Sequence, residues 1–276
     1  MMKRVLVCLA CVVWAGVCTA LDQAQFDADV CYMTNKILNG HVRHARDIVY
    51  PSLDGFQKWR GLSDEDFTRE LLFIASINRV NCNEDEREKH RKNSAWWQTM
   101  TYLNIRNVPL KESIDFYEEI LRNGKDDEMF RTVYNYAGLV GYTPQYFEKI
   151  DSFLEDKERR KDPTRNSLLF AVKCNFGNCL FWDPARPSIV VSNRIVEYME
   201  KRVRKDSVDA CYFLDTLCKA KPEFKESDEW FERVRAILAD ESLNEYQHKP
   251  YRDQLREAEK RREALRASGQ AEKRGS

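Results

Sequence analysis

Apolar residues recur along the chain at every third or fourth position, the spacing of one side of an α-helix. Two clear stripes of this kind are Phe26, Val30, Met33 and Ile37, and then Phe67, Leu71, Ile74 and Ile77. Alternation of apolar and polar residues, typical of strands, is hard to find, and the chain has only 10 glycines. The pattern predicts an all-α protein of about eleven helices, joined by short polar turns.

Capping residues mark where several of these helices begin. Ser63 and Ser227 each precede a run of acidic residues, which favour the positive end of a helix dipole. In Thr143-Pro144 and Asp162-Pro163, a proline follows a capping residue and suits the first helical position. We therefore expect helices to begin directly after these four capping residues.

An apolar spacing of 3, 3 and 1 residues recurs along the chain. The three copies are Ile114, Tyr117, Ile120 and Leu121; Phe147, Ile150, Phe153 and Leu154; and Phe231, Val234, Ile237 and Leu238. A fourth segment matches in part, because Val196 and Met199 fit but Arg202 stands at the third position. Charged turns and second amphipathic helices follow the first two copies. A helix pair buries too little surface to be stable alone, so the pattern predicts stacked pairs.

This organisation resembles the α-helical repeat proteins of the HEAT and armadillo type, or their tetratricopeptide relatives. The resemblance covers roughly residues 63–240 and rests on apolar spacing and on a repeat length of about 33 to 47 residues. The tetratricopeptide motif is absent, which favours the HEAT-like class. The resemblance implies antiparallel helix pairs stacked into an α-solenoid with a non-catalytic binding surface. The alternative is a non-repetitive helical bundle, because amphipathic helices produce the same spacing.

Two segments depart from the repeat pattern. Residues 175–187 contain two prolines and several aromatic residues, and they predict a long loop. Residues 251–276 are charged, with only a thin apolar stripe, and predict a solvated terminal helix that frays. We therefore divide the chain into residues 1–20, a helical repeat-like domain at 21–248, and a charged C-terminal helix or tail at 249–276.

The first twenty residues have the pattern of a secretory signal peptide. Lys3 and Arg4 precede an apolar run, and Cys18-Thr19-Ala20 offers small residues for cleavage after Ala20. The run of 14 residues from Val5 to Cys18 is short for a membrane span, which needs about 20. We expect a secreted or periplasmic protein with no membrane span once the signal is removed.

Charge excludes one broad class of partner. The chain has 45 basic and 45 acidic residues, and this balance argues against a general nucleic-acid binder. Charged residues make up 33% of the chain and are interspersed, as in soluble helical proteins.

Six cysteines follow the predicted cleavage site: Cys31, Cys82, Cys174, Cys179, Cys211 and Cys218. An even number in an exported protein predicts up to three disulfide bonds. Cys211 and Cys218 lie seven residues apart on one predicted helix, about 10.5 Å along its axis, too far to bond each other. We expect Cys31 to pair with Cys82, and Cys174, Cys179 or both to bond the 211–218 helix. The alternatives are unpaired buried thiols and a metal or redox role.

Motifs for catalysis or for a cofactor are not found in the sequence. It lacks the Gly-x-Ser-x-Gly of α/β-hydrolases and the glycine-rich phosphate loops, and no cofactor is predicted. His41, His44 and Asp47 share a helical side, a spacing that a metal can use, but Asp47 suits an ion pair with Arg43 equally well. We predict neither a metal site nor a catalytic residue.

Acidic residues cluster at predicted helix starts: Asp64, Glu65, Asp66, Asp126, Asp127 and Glu128. Acidic side chains at these positions interact favourably with the positive end of the helix dipole, so a structural role is expected for them. Catalytic carboxylates of glycosidases come from distant sequence positions, so the sequence leaves enzymatic activity open, although it leans against one.

Tryptophans are the better functional signal. Trp97 follows Trp96 on a predicted helix, and Trp182 lies in the predicted loop. Exposed tryptophans often anchor a protein partner, although packing in the core is the commoner role. We predict an exported, disulfide-bonded helical repeat protein that binds or scaffolds a protein partner, with Trp97 and Trp182 as contact residues. The alternative is an exported hydrolase, acting on glycans through carboxylates in a helical groove.

Overall fold

The computed structural model of the protein describes residues 61–79, 92, 96–97, 99–104, 108–182 and 187–274. These residues form helices and turns, with no strand among them, which confirms the all-α prediction. The predicted signal peptide, the first apolar stripe, the His41 segment, Cys31 and Cys82 lie outside the described residues. Across the residues described, no helix has both the length and the apolar run needed to cross a bilayer.

Nine α-helices are defined in this part of the chain. Their bounds are α1 Asp64–Ile77, α2 Lys111–Asn123, α3 Asp126–Val140, α4 Pro144–Arg159, α5 Arg165–Phe181, α6 Ile189–Lys205, α7 Ser207–Ala220, α8 Asp228–Ala239 and α9 Glu245–Arg274. A short 3-10 helix, Pro222–Phe224, lies between α7 and α8. Residues 96–97 and 99–104, between α1 and α2, are also helical.

The chain divides into two compact units between Ser113 and Ile114. In the first unit, Phe67 of α1 packs edge-on against Tyr102 with ring centroids 5.7 Å apart. Both side chains are buried. At the start of α1, the Ser63 hydroxyl accepts a hydrogen bond from the Asp66 N–H at 3.1 Å, as expected of a capping serine.

The second unit is organised around α5. This helix contacts α3, α4 and α7, while α6 packs along α7 and α8 along α9. The Phe176 ring of α5 is fully buried and lies 5.6 Å from Tyr198 of α6 and 6.1 Å from Phe213 of α7. The inner side of α5 thus joins neighbouring helices in a core rich in aromatic residues.

The predicted repeat positions fall on alternate helices of this unit. The three complete copies lie on α2, α4 and α8, and their third residues, Ile120, Phe153 and Ile237, are all buried. Arg202 holds the matching position on α6 and is only 1% exposed. The break in the apolar pattern is therefore a buried charge.

Capping residues place most helix starts where the sequence predicts them. Thr143 and Ser227 accept hydrogen bonds from the N–H groups of Tyr146 and Trp230. The start predicted at Pro163 is wrong, because α5 begins at Arg165. The Asp162 carboxylate instead accepts hydrogen bonds from the N–H and hydroxyl of Thr164, at 2.9 and 2.7 Å, so it shapes the preceding turn.

The loop predicted at 175–187 is wrong over its first half, because α5 continues to Phe181. Asn175 is buried, and its Oδ1 accepts a hydrogen bond from the Tyr142 hydroxyl at 2.8 Å. This tertiary contact and the burial of Phe176 outweigh the turn preference of asparagine and glycine.

The boundary predicted between residues 248 and 249 lies inside α9. Tyr251 and Ala258 of this helix are buried, and the Tyr251 hydroxyl donates to the Cys211 carbonyl at 2.7 Å. The first part of the predicted tail therefore packs on the helical core.

Candidate functional site

The outer side of α5 is apolar, which sets this helix apart from an ordinary surface helix. Helices at a protein surface usually carry polar residues on the side that faces water. The outer side of α5 carries Phe170, Cys174, Gly177 and Phe181, which the 4, 3, 4 spacing places in one row. Phe170 is 50% exposed and Phe181 is 43% exposed. This helix therefore presents apolar side chains both to the core and to solvent.

Half-buried aromatic residues of α3 extend this apolar row. The Ser167 hydroxyl donates to Asp126 Oδ1 at 2.6 Å, and the Tyr134 hydroxyl donates to the Cys174 carbonyl at 3.5 Å. The two contacts match in register, so α3 and α5 run side by side in the same direction. Phe130 and Tyr134 stack with ring centroids 4.9 Å apart. The α3–α5 face is defined here as Phe130, Tyr134, Phe170, Cys174, Gly177 and Phe181.

A second exposed apolar group lies where α5 ends and α6 begins. Trp182 is 80% exposed, Ile189 is 76% exposed and Val190 is 52% exposed. These three residues define the α5–α6 tip. Residues 174–196 contain only three charged residues, in a chain of which a third is charged. Large apolar side chains left exposed near each other in sequence are candidates for an interaction site.

Hydrogen bonds fix the backbone on both sides of the tip. The Trp182 N–H donates to the Asn178 carbonyl at 3.0 Å. The Ser188 hydroxyl caps α6 by accepting from the Val191 N–H at 3.3 Å. The exposed side chains are thus carried on ordered helix ends.

Tyr142 ties these helix ends to the rest of the unit. Its hydroxyl donates to Asn175 of α5, and its carbonyl accepts a hydrogen bond from Arg194 Nη1 of α6 at 3.4 Å. Burial raises the pKa of Tyr142 far above its usual value, so the phenol stays a neutral donor. The tip therefore has a rigid base.

A buried ion network joins α4, α5, α6 and α7. Arg202 Nη1 lies 3.1 Å from Asp151 Oδ1, and Arg202 Nη2 contacts Asp209 Oδ2. Arg165 Nη2 lies 2.7 Å from the other oxygen of Asp209. The Tyr198 hydroxyl donates to Asp151 at 2.8 Å, and burial raises the pKa of this phenol well above its usual value. The network satisfies charges that would be costly to bury alone.

This network bears on the hydrolase alternative. Two carboxylates, Asp151 and Asp209, share one arginine, whereas the two acids of a glycosidase face the substrate. Both are bound by Arg202, and Asp209 is completely buried. This pair suits structural bridging, and the hydrolase remains a prediction without a site.

An open cavity of about 510 Å³ lies beside α4, lined by Arg122, Ser152, Phe153, Glu155, Asp156 and Arg159. Two of its charges pair with each other, because Arg159 Nη2 lies 2.6 Å from Asp156 Oδ1. The hydrogen bond from Arg159 lowers the pKa of Asp156. We assign no ligand to this cavity.

The predicted disulfide bonds between α5 and α7 are not formed. Cys174, Cys179, Cys211 and Cys218 are all described, and none of them is in a disulfide bond. The prediction placed Cys174 at the end of a helix and Cys179 in the loop after it, but both lie within the single helix α5. The proposed Cys31–Cys82 bond lies outside the described residues.

Burial raises the pKa of three of the described thiols. Desolvation raises the pKa of Cys174, that of Cys211 to about 11, and that of Cys218 to about 12. Among the described residues, no group of three or more histidine, cysteine or acidic side chains could hold a metal ion. A packing role fits these three thiols better than a redox role.

The two predicted contact tryptophans have different environments. Trp182 stands on the α5–α6 tip. Trp97 is half-buried in the first unit, with its ring centroid 6.3 Å from that of the buried Trp96. The structure thus supports exposure of Trp182 and packing of Trp97.

The acidic residues noted at helix starts lie in the first turns of α1 and α3. Glu128 Oε2 accepts a hydrogen bond from the Lys125 N–H at 2.8 Å, a contact that orders the start of α3. The positions of these acidic residues in first helical turns fit the structural role expected of them.

Sequence reasoning missed Phe170, Ile189 and Val190. Phe170 lies four residues before Cys174, and a helix extended through Gly177 would have placed both in one row with Phe181. Ile189 and Val190 follow the capping residue Ser188, and apolar residues there resemble the start of an ordinary core-facing stripe.

Comparisons with protein-family models, with curated proteins and with solved structures gave no match to this chain.

Proposed function

We propose that the protein is an exported α-helical repeat protein that acts as a binding or scaffolding module and contacts a protein partner through the α5–α6 tip. The observation that carries the proposal is the exposure of Trp182 and Ile189 on an ordered backbone. Tryptophan is enriched at the energetic centres of protein interfaces. A fixed backbone also lowers the entropy lost on binding.

A solenoid of stacked helix pairs is the architecture that we propose for the second unit. The repeated apolar spacing on α2, α4 and α8 supports it, as do the successive contacts of α3 with α5 and of α5 with α7. In such an array each pair packs on its neighbours, and the outer surface of the stack is available for binding.

Export is proposed from the N-terminal sequence pattern. N-terminal sequencing of the exported protein should find Leu21 as the first residue. A chain that keeps residues 1–20 after export would contradict cleavage at this site.

Affinity capture from the extracellular or periplasmic fraction tests the binding function. The baits are the mature chain, a Trp182→Ser, Ile189→Ser double variant, and a Tyr246→Ser control. Tyr246 is 90% exposed on α9, so its loss removes a comparable exposed side chain away from the tip. Proteins retained by each bait are identified by mass spectrometry, and the affinity of the retained partner is then measured with purified components.

We expect one partner to be retained by the native and control baits and to bind the double variant at least about 10-fold more weakly, as for the loss of interface anchors. Equal retention by all three baits, or no specific retention by any, would contradict the proposed role of the tip.

A further inference from the structure

The row Phe170, Cys174, Gly177 and Phe181 on α5 has a symmetric pattern. Its spacing of 4, 3 and 4 residues is the same in both chain directions. The side-chain sizes are symmetric too, with a large aromatic residue at each end and two small residues in the middle. A row with this symmetry is complementary to a second copy of itself placed antiparallel.

We propose that the α3–α5 face is a homodimer interface, in which α5 packs antiparallel against α5 of a second copy. The two-fold axis passes midway between Cys174 and Gly177. Phe170 of each copy then lies opposite Phe181 of the other, and Cys174 lies opposite Gly177. Such an interface is isologous, since each copy uses the same residues, and it closes as a dimer.

The centre of the face permits close approach of the two helices. A Cβ atom added to Gly177 would meet nothing within 4 Å, so the space above this residue is open. Small residues at a crossing allow helix axes to approach to about 8 Å, the short end of the usual range. The phenylalanines at both ends then cover each other's exposed surface.

The edges of the row suit an interface in water. Lys173 and Asn178 lie on its two flanks, and Lys173 Nζ stands 5.8 Å from the centroid of the Phe170 ring. Phe130 and Tyr134 of α3 widen the apolar area on one flank. An apolar centre with a polar rim is typical of protein interfaces.

The symmetry of the row is what favours a second copy over a different protein. The order of side-chain sizes lets every residue of the row face one of similar size in a second copy, with the phenylalanines together at the ends and the small residues together at the axis. The proposal goes beyond binding at the α5–α6 tip and does not depend on it, because Trp182, Ile189 and Val190 are not in the row.

Sedimentation equilibrium of the mature chain tests the dimer. The Gly177→Arg variant puts a large charged side chain at the two-fold axis, where each copy would face the other's arginine. The monomer can accept this change, because the site is open and arginine favours helix more than glycine does. Ala236→Arg is the control, since Ala236 is an exposed small residue of α8.

At about 50 µM protein, well above a micromolar Kd, we expect the native chain and the Ala236→Arg control to be dimers. Gly177→Arg should be monomeric, with a Kd raised at least about 100-fold and a helix content unchanged by circular dichroism. A native chain that is monomeric at this concentration would overturn the proposal. So would a Gly177→Arg variant that remains dimeric.

Discussion

Two regions of the second unit break the rule that charges face water and apolar side chains face the core, and they do so in opposite ways. Between α6 and α7, Arg202 and Asp209 are buried. On α5, Phe170 and Phe181 are exposed. The first region resolves its exception within the chain, because Asp151 and Asp209 supply opposite charges to Arg202, and Asp209 also pairs with Arg165. On the outer side of α5, half of the Phe170 surface remains in water.

The difference separates a structural feature from an interaction surface. A buried charge that has its partners within the fold holds helices together. An apolar row that the fold leaves uncovered gains from a second molecule, because burying apolar area stabilises association. Substitutions in the two regions should therefore have different consequences for folding and for assembly.

The largest effect on stability is expected from the ion network. Arg202→Ala leaves the buried carboxylate of Asp209 short of one partner and should lower the free energy of unfolding by about 3 to 5 kcal/mol. Arg204→Ala, two residues further on the same helix, is the control. Arg204 is half-exposed and pairs with Glu229 at 2.7 Å, a contact that contributes about 0 to 1 kcal/mol.

Urea unfolding followed by circular dichroism measures both variants. Equal and small losses for Arg202→Ala and Arg204→Ala would show that the buried network does not stabilise the fold.

The inner and outer phenylalanines of α5 give the next comparison. Phe176→Ala creates a cavity in the core and should cost about 3 to 5 kcal/mol of unfolding free energy. Phe170→Ala removes a half-exposed ring and should cost less than about 1 kcal/mol, while it weakens the dimer. Unfolding curves recorded on dilute protein, beside sedimentation of concentrated samples, separate the two effects. A large loss of monomer stability in Phe170→Ala would show that this ring belongs to the core.

A smaller effect is expected on the rate at which Cys211 is alkylated, because this thiol is partly buried. Desolvation raises the pKa of Cys211 to about 11, above the usual value of about 8.5. Only the thiolate is alkylated, so the rate at Cys211 in the folded protein should keep rising about tenfold per pH unit between about pH 8.5 and 10. In urea, the rate should level off above about pH 9. Iodoacetamide labelling read by mass spectrometry measures both rates. A plateau near pH 8.5 in the folded protein would contradict burial of this thiol.

Sequence periodicity predicts the all-α class, and capping at Ser63, Thr143 and Ser227 predicts the starts of three helices. It also identifies Arg202 as an exception in an apolar position. It does not identify the reason, because Asp151 and Asp209 are distant in sequence and only the fold brings them to Arg202. The incorrect loop at 175–187 has a similar cause, since the partner that holds Asn175 in a helix is Tyr142, more than thirty residues earlier.

The candidate surface was predicted in part. Trp182 was identified by its aromatic character beside prolines, and it is exposed on the tip. The α3–α5 face was missed because its row crosses Gly177, a residue that predicts a turn when taken alone. The disulfide prediction used the number of cysteines, the expected compartment and the rise along one helix, none of which fixes where thiols on two different helices lie.

Chemical cross-linking at Cys174 tests the central claim, that a second copy covers the outer side of α5, most directly. In the antiparallel dimer the two Cys174 residues are offset by three residues, about 4.5 Å along the helix axes, within reach of a short bismaleimide. The mature chain should give a covalent dimer on a denaturing gel, Cys174→Ser should give none, and Gly177→Arg should give much less. A native chain whose Cys174 is alkylated but which stays monomeric on the gel, or a Cys174→Ser variant that cross-links equally well, would contradict the claim.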